Sequence, residues 1–110
     1  MLPDAIDSMI ESGANQVFVS SVNAWEIATK ARVGKLPQLL PYLDRYESVI
    51  DVDAFDRLDF TIAHGLRAGS YDAAHRDPFD RMLAAQAELE GLTLLTRDKV
   101  FCDFPCATLW

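Results

Sequence analysis

Residues 77–98 read D-P-F-D-R-M-L-A-A-Q-A-E-L-E-G-L-T-L-L-T-R-D, and their pattern decides the fold class. Asp77 suits an N-cap, Pro78 falls where a helix can spare an N–H, and Asp80 brings an acid to the third helical position, as in a capping box. The spacing predicts a helix over 78–90 with Phe79, Met82, Leu83, Gln86 and Leu89 along one side and Gly91 as its stop. Leu92 to Thr96 then reads as a short buried strand, followed at once by Arg97 and Asp98.

The same alternation extends outward in both directions. Asp4 to Ser12 places Ile6, Met9 and Ile10 at helical spacing, with Gly13 as a stop. Val17 to Ser21 reads as a strand, and Ser20 or Ser21 caps a helix whose stripe is Val22, Trp25, Ala28, Thr29 and Arg32, ending at Gly34. Residues 37–51 are helical in period, with Pro41 starting the main helix and Leu43, Tyr46 and Ile50 on its buried face. Residues 55–60 form a weak strand candidate. Thr61 offers an N-cap for a helix to Ala68, with Gly69 past its end, and Ala107 to Trp110 supplies a last strand. Strands alternating with helices predict an α/β fold with a mainly parallel sheet and right-handed crossovers, in a single domain over 1–110.

Composition narrows the function. The 110 residues are 50% hydrophobic and 25% charged, which is globular and not disordered. Two cysteines, Cys102 and Cys106, make neither a disulfide framework nor a four-ligand zinc site. They read as small core residues, and Trp25 and Trp110 as packing residues. No apolar run approaches a membrane span, and acids stand where a signal peptide needs bases, so a reduced cytoplasmic setting is expected. The net charge of −7 argues against coating nucleic acid by bulk attraction. Seven of the ten basic residues nonetheless cluster in three stretches: Lys30, Arg32 and Lys35; Arg76 and Arg81; Arg97 and Lys99.

Three acids fall at the carboxyl ends of strands or the helix starts beside them, where open parallel sheets place their sites. Glu26 lies in the helix after the first strand, Asp80 in the first turn of the helix over 78–90, and Asp98 directly after the strand over 92–96. Carboxylates converging in one crevice repel unless a cation joins them, and an all-oxygen set suits Mg²⁺ or Mn²⁺. Such an ion activates water and offsets charge on a phosphodiester. Each acid also has a plain structural reading: Glu26 as the i, i+4 partner of Lys30, Asp80 as part of a capping box with Asp77, Asp98 as a turn residue. His64, within a helix pattern, reads as a surface or half-buried side chain. His75 reads as a polar loop residue beside Arg76.

The stretches S-S-V-N-A-W-E-I-A-T-K-A-R-V-G-K-L, H-R-D-P-F-D-R-M-L-A-A-Q-A and G-L-T-L-L-T-R-D, in that order, closely resemble PIN-domain ribonucleases, most nearly the VapC-type toxins of bacterial toxin–antitoxin pairs. The resemblance covers about Val17 to Trp110 and implies a PIN-like three-layer domain. It also implies that Glu26, Asp80 and Asp98 are the catalytic, metal-site carboxylates, with Asp77 an accompanying acid. Family members usually open with a strand of the type L-L-D-T-H, whose Asp is the first metal ligand. No such strand precedes Val17, so the fold is expected to be incomplete at its N-terminus.

The expectation is a Mg²⁺-dependent endoribonuclease toxin in which Glu26, Asp80 and Asp98 hold the ion and Arg76, Arg81, Arg97 and Lys99 steer the RNA backbone. Resemblance further implies a homodimer and a VapB-like antitoxin whose tail blocks the acidic crevice. The alternative is a catalytically inactive PIN-like module that only binds an antitoxin or dimerises. A phosphoacceptor receiver domain would require an adjacent acidic pair after the first strand and a lone Asp after the third, and the sequence shows neither.

Overall fold

A computed structural model describes residues 15–72, 76–96 and 99–109. The helix expected over 4–12, His75, Arg97, Asp98 and Trp110 lie outside the described residues. The chain is α/β, and every strand pairing among the described residues is parallel, in two two-stranded ladders. It divides into two compact units, Met1–Asp59 and Phe60–Trp110, each taken by itself below.

In the first unit β1 (Phe18–Ser20) runs straight into α1 (Ser21–Arg32). Ser20 makes the junction. Its hydroxyl accepts the Val22 N–H at 3.0 Å, and its own N–H donates to the Asn23 side chain at 3.3 Å. This is a capping box in which Asn replaces the usual acid. Gly34, at φ +89°, takes the left-handed conformation just beyond the helix end. A 3₁₀ helix (Pro37–Arg45) and α2 (Tyr46–Val52) then lead to β2 (Asp56–Leu58), which pairs with β1 in the register Phe18 to Asp56 and Ser20 to Leu58.

Two expectations are corrected in this unit. Pro41 does not open the main helix. It sits inside the 3₁₀ segment, and the α-helix starts only at Tyr46. Proline lacks the N–H that an α-helix interior requires and clashes with the carbonyl four residues back, so regular winding waits until it is passed. Trp25 is not a packing residue but 57% exposed. The residues α1 buries, Val22 and Ala31, are nine apart and thus half a turn out of phase, so the helix has no single stripe for Trp25 to join.

The second unit holds α3 (Ile62–Ser70), α4 (Pro78–Glu90), β3 (Thr93–Leu95), a 3₁₀ turn (Lys99–Asp103) and β4 (Ala107–Leu109). β3 and β4 pair from Thr93–Ala107 to Leu95–Leu109. α4 follows the local rules closely. Asp77 accepts the N–H groups of Phe79 and Asp80 at 2.9 and 3.3 Å, Pro78 opens the first turn, and Gly91 at φ +64° closes the last. The buried run of α4 is Ala84 to Ala87, whereas Leu89, expected on that side, is 46% exposed. Ala84 and Ala85 are buried because they join the core cluster of Ala68, Tyr71, Phe101 and Phe104, against which Met82 and Leu83 also pack. Gly69 lies within α3, which runs on to Ser70. Cys102 is exposed and only Cys106 packs at the core's edge, since the 3₁₀ turn points Phe101 inward instead.

α3 and α4 run antiparallel, as their cross-links show: His64 meets Glu90, Arg67 meets Glu88, and Arg81 meets Ala68 and Tyr71. His64, expected at the surface or half-buried, is 1% exposed. Its Nδ1 accepts the Thr61 N–H at 2.9 Å, so in the neutral ring the proton sits on Nε2, 2.9 Å from a Glu90 oxygen. One polar ring thus caps α3 and reaches the end of α4, and that is why it tolerates burial.

The Arg67 guanidinium grips Glu88 through two nitrogens at 2.6 and 3.0 Å, the Tyr71 hydroxyl donates to the same carboxylate at 2.9 Å, and Arg67 lies 4.6 Å over the Tyr71 ring. The Arg67 hydrogen bond, then that of Tyr71, holds the Glu88 carboxyl below the usual carboxylate range. Burial first, and then Glu88, pushes the Tyr71 phenol up. A lowered carboxyl pKa contributes stability that is fully present above the unfolded value and is lost as pH falls through the folded one.

Three outcomes are expected. Ala85→Leu is expected to lower unfolding free energy by about 1–3 kcal/mol through overpacking. Ile62→Ala, at an 84% exposed site, stays within about 0.5 kcal/mol; urea midpoints check both. Glu88→Gln lowers Tm at neutral pH, and its gap to the parent narrows once pH falls below the ordinary carboxylate value of about 4.3. A gap that widens in acid would contradict the Arg67–Glu88 account.

Candidate functional site

Glu26 lies in the second turn of α1, so the Ser20 cap that ends β1 also sets where its side chain starts. Its carboxylate accepts Lys30 Nζ at 2.6 Å, and only 17% of the Glu26 side chain is exposed. This is the i, i+4 pair in the favourable order, formed on one helix without help from elsewhere.

Asp80 lies in the first turn of α4 and is half-buried. Pro78 and the Asp77 cap fix its backbone, and the helix N-terminus around it favours negative charge. The expected capping box is present on the Asp77 side, where one Asp77 oxygen receives both amide donors. Glu26 belongs to the first unit and Asp80 to the second, while Asp98 is outside the described residues. Among the described residues no group of three His, Cys, Asp or Glu side chains could hold a metal ion. The chemistry of the donors does fit a hard divalent cation, since both are carboxylates, although Lys30 already neutralises Glu26.

The basic residues divide. Arg76 and Lys99 are exposed, and Arg97 is outside the described residues. Arg81 is half-buried and donates to two main-chain carbonyls, from Nε to Ala68 at 3.0 Å and from Nη2 to Tyr71 at 2.6 Å. A cleft of about 470 Å³ in the second unit is lined by Arg67, Ser70, Tyr71, Asp72, Asp103 and Pro105; neither Glu26 nor Asp80 borders it. Near it the Cys106 thiol is pushed up by burial, then by Glu88 and Cys102, which keeps it protonated and poorly nucleophilic.

Sequence reading missed the Arg67–Tyr71–Glu88 cluster. The one available signal was the i, i+4 spacing of Arg67 and Tyr71, because Glu88 comes from another helix. It also missed the Thr61–His64 capping box, which the T-x-x-H spacing contains once His is admitted in place of Glu or Gln.

No helix among the described residues is long and apolar enough to cross a membrane. Comparison with curated proteins finds no match. A family model described as PIN domain matches residues 2–105. Members of that family are generally nucleases that work with divalent metal ions. Matched over nearly its whole length, and α/β with parallel strands as that fold requires, the chain belongs to the PIN-domain family.

Proposed function

We propose that this PIN-domain protein is a metal-dependent endoribonuclease and the toxin of a toxin–antitoxin pair. The family match over residues 2–105 carries the reading. Support comes from Asp80 in the capped first turn of α4 and from Glu26 in the helix that leaves a parallel strand. Glu26, Asp80 and Asp98 are the oxygen donors for the ion. A magnesium or manganese ion, when bound, supplies activation of the attacking water and offsets charge on the phosphodiester. Arg76 and Lys99, both exposed, attract the RNA backbone together with Arg97. A homodimer held in check by a VapB-like antitoxin, acting in the cytoplasm, completes the proposal.

One observation favours a second reading, a module that binds its partner without cleaving RNA. The Glu26 carboxylate is already answered by Lys30 at 2.6 Å, so a cation entering there must compete with an ammonium group.

The two readings part in one experiment. The parent protein and Asp80→Asn are incubated with RNA, with Mg²⁺ and then with chelator, and Tm is followed against millimolar Mn²⁺. The nuclease reading expects cleavage by the parent alone, lost with chelator, and a rise in Tm with ion that Asp80→Asn lacks. Equal cleavage by both proteins removes Asp80 from the site. A parent that neither cleaves RNA nor responds to the ion leaves the binding module.

A further inference from the structure

Arg81 is the residue after Asp80, and its guanidinium donates to main-chain carbonyls. The carbonyls of Ala68 and Tyr71, which it meets at 3.0 and 2.6 Å, are in the last turn and at the C-cap of α3. Carbonyls at a helix end lack intrahelical partners and carry the negative end of the helix dipole. A guanidinium satisfies two at once through its planar fork; an ammonium group on a flexible stem does not reproduce that geometry. The guanidinium carbon also lies 6.0 Å from the Tyr71 ring centroid, in line with a cation facing an aromatic face.

The topology gives these bonds a further effect. Tyr71 is where the chain leaves α3, and Arg81 lies ten residues later in α4. The bond between them therefore closes the connection that ends in the Asp77 cap and Asp80. Inside that closure Phe79 and Asp80 donate their N–H groups to Asp77. The first turn of α4 is pinned from within by Asp77 and from outside by Arg81.

We propose that Arg81 is a positioning residue: it holds the first turn of α4, and with it the Asp80 carboxylate, in register against the end of α3, and it does not act as an RNA contact. The catalytic consequence rests on the function proposed above, in which Asp80 is an ion donor. The clasp itself does not.

Arg81→Lys, which keeps the charge and loses the fork, tests both parts in the full chain. Hydrogen exchange of the free protein is expected to quicken at Phe79 and Asp80 by about tenfold or more while Gln86 to Glu90 are unchanged, because only one end of α4 is released. The Kd for Mn²⁺ is expected to rise by about tenfold, as when a supporting group around a metal site is lost. RNA affinity measured in chelator, and its slope against log salt, are expected to stay as in the parent. Unchanged exchange at Phe79 and Asp80 overturns the proposal, and so does exchange that quickens equally along all of α4. In Arg81→Gln, which removes the charge, a salt slope smaller by about one overturns it in favour of a phosphate contact. A parent that neither binds Mn²⁺ nor cleaves RNA, with the local quickening still seen in Arg81→Lys, removes the nuclease reading and leaves the clasp standing.

Discussion

Ala84 and Ala85 are fully buried, and the second unit takes its form from the closeness they allow. At Ala84 and Ala85 only methyl groups meet the rings of the core, Met82 and Leu83 pack against the same cluster from partly buried positions, and Ala68 is the matching small residue on α3. The space that remains is filled by rings, with Tyr71 and Phe104 in edge contact at 5.0 Å. A buried tyrosine hydroxyl needs an acceptor, and Glu88 supplies it. A partly covered carboxylate needs a cation, and Arg67 supplies that while stacking on the same ring. The ion pair is thus the last member of a sequence that begins with two methyl groups.

The candidate donors are governed by shorter-range forces. Asp80 and Glu26 each lie just inside a helix whose start is set by one side-chain cap, Asp77 for the first and Ser20 for the second. Capping fixes the backbone from which each acid projects. It leaves the charge of the acid to be answered by whatever lies nearby. For Glu26 the answer comes from its own helix, one turn on, in Lys30. An ammonium group in that position competes with a metal ion for that carboxylate.

Much of the fold was legible because it is written in local chemistry. Asp77, Pro78 and Gly91 mark the limits of α4, Ser20 and Thr61 mark two further helix starts, and the short apolar runs mark the strands. What could not be read depends on partners remote in sequence. Periodicity placed Leu89 on the buried side of α4, but rings from the 3₁₀ turn and from the end of α3 pack on Ala84 and Ala85. The full burial of His64 was not legible because the acid that satisfies its second nitrogen comes 26 positions later. Of the candidate site, the acids could be found from their places relative to the caps. The partners of Arg81 could not, since main-chain carbonyls have no sequence signature.

The ring of His64 joins the first turn of one helix to the last turn of another, with Thr61 on one nitrogen and Glu90 on the other. Helix ends ordinarily fray on their own, each at little cost. Here the start of α3 cannot loosen without withdrawing a partner from the finish of α4, and the reverse also holds. Loosening at either terminus therefore costs the other a partner, which couples two ends that would otherwise fray separately.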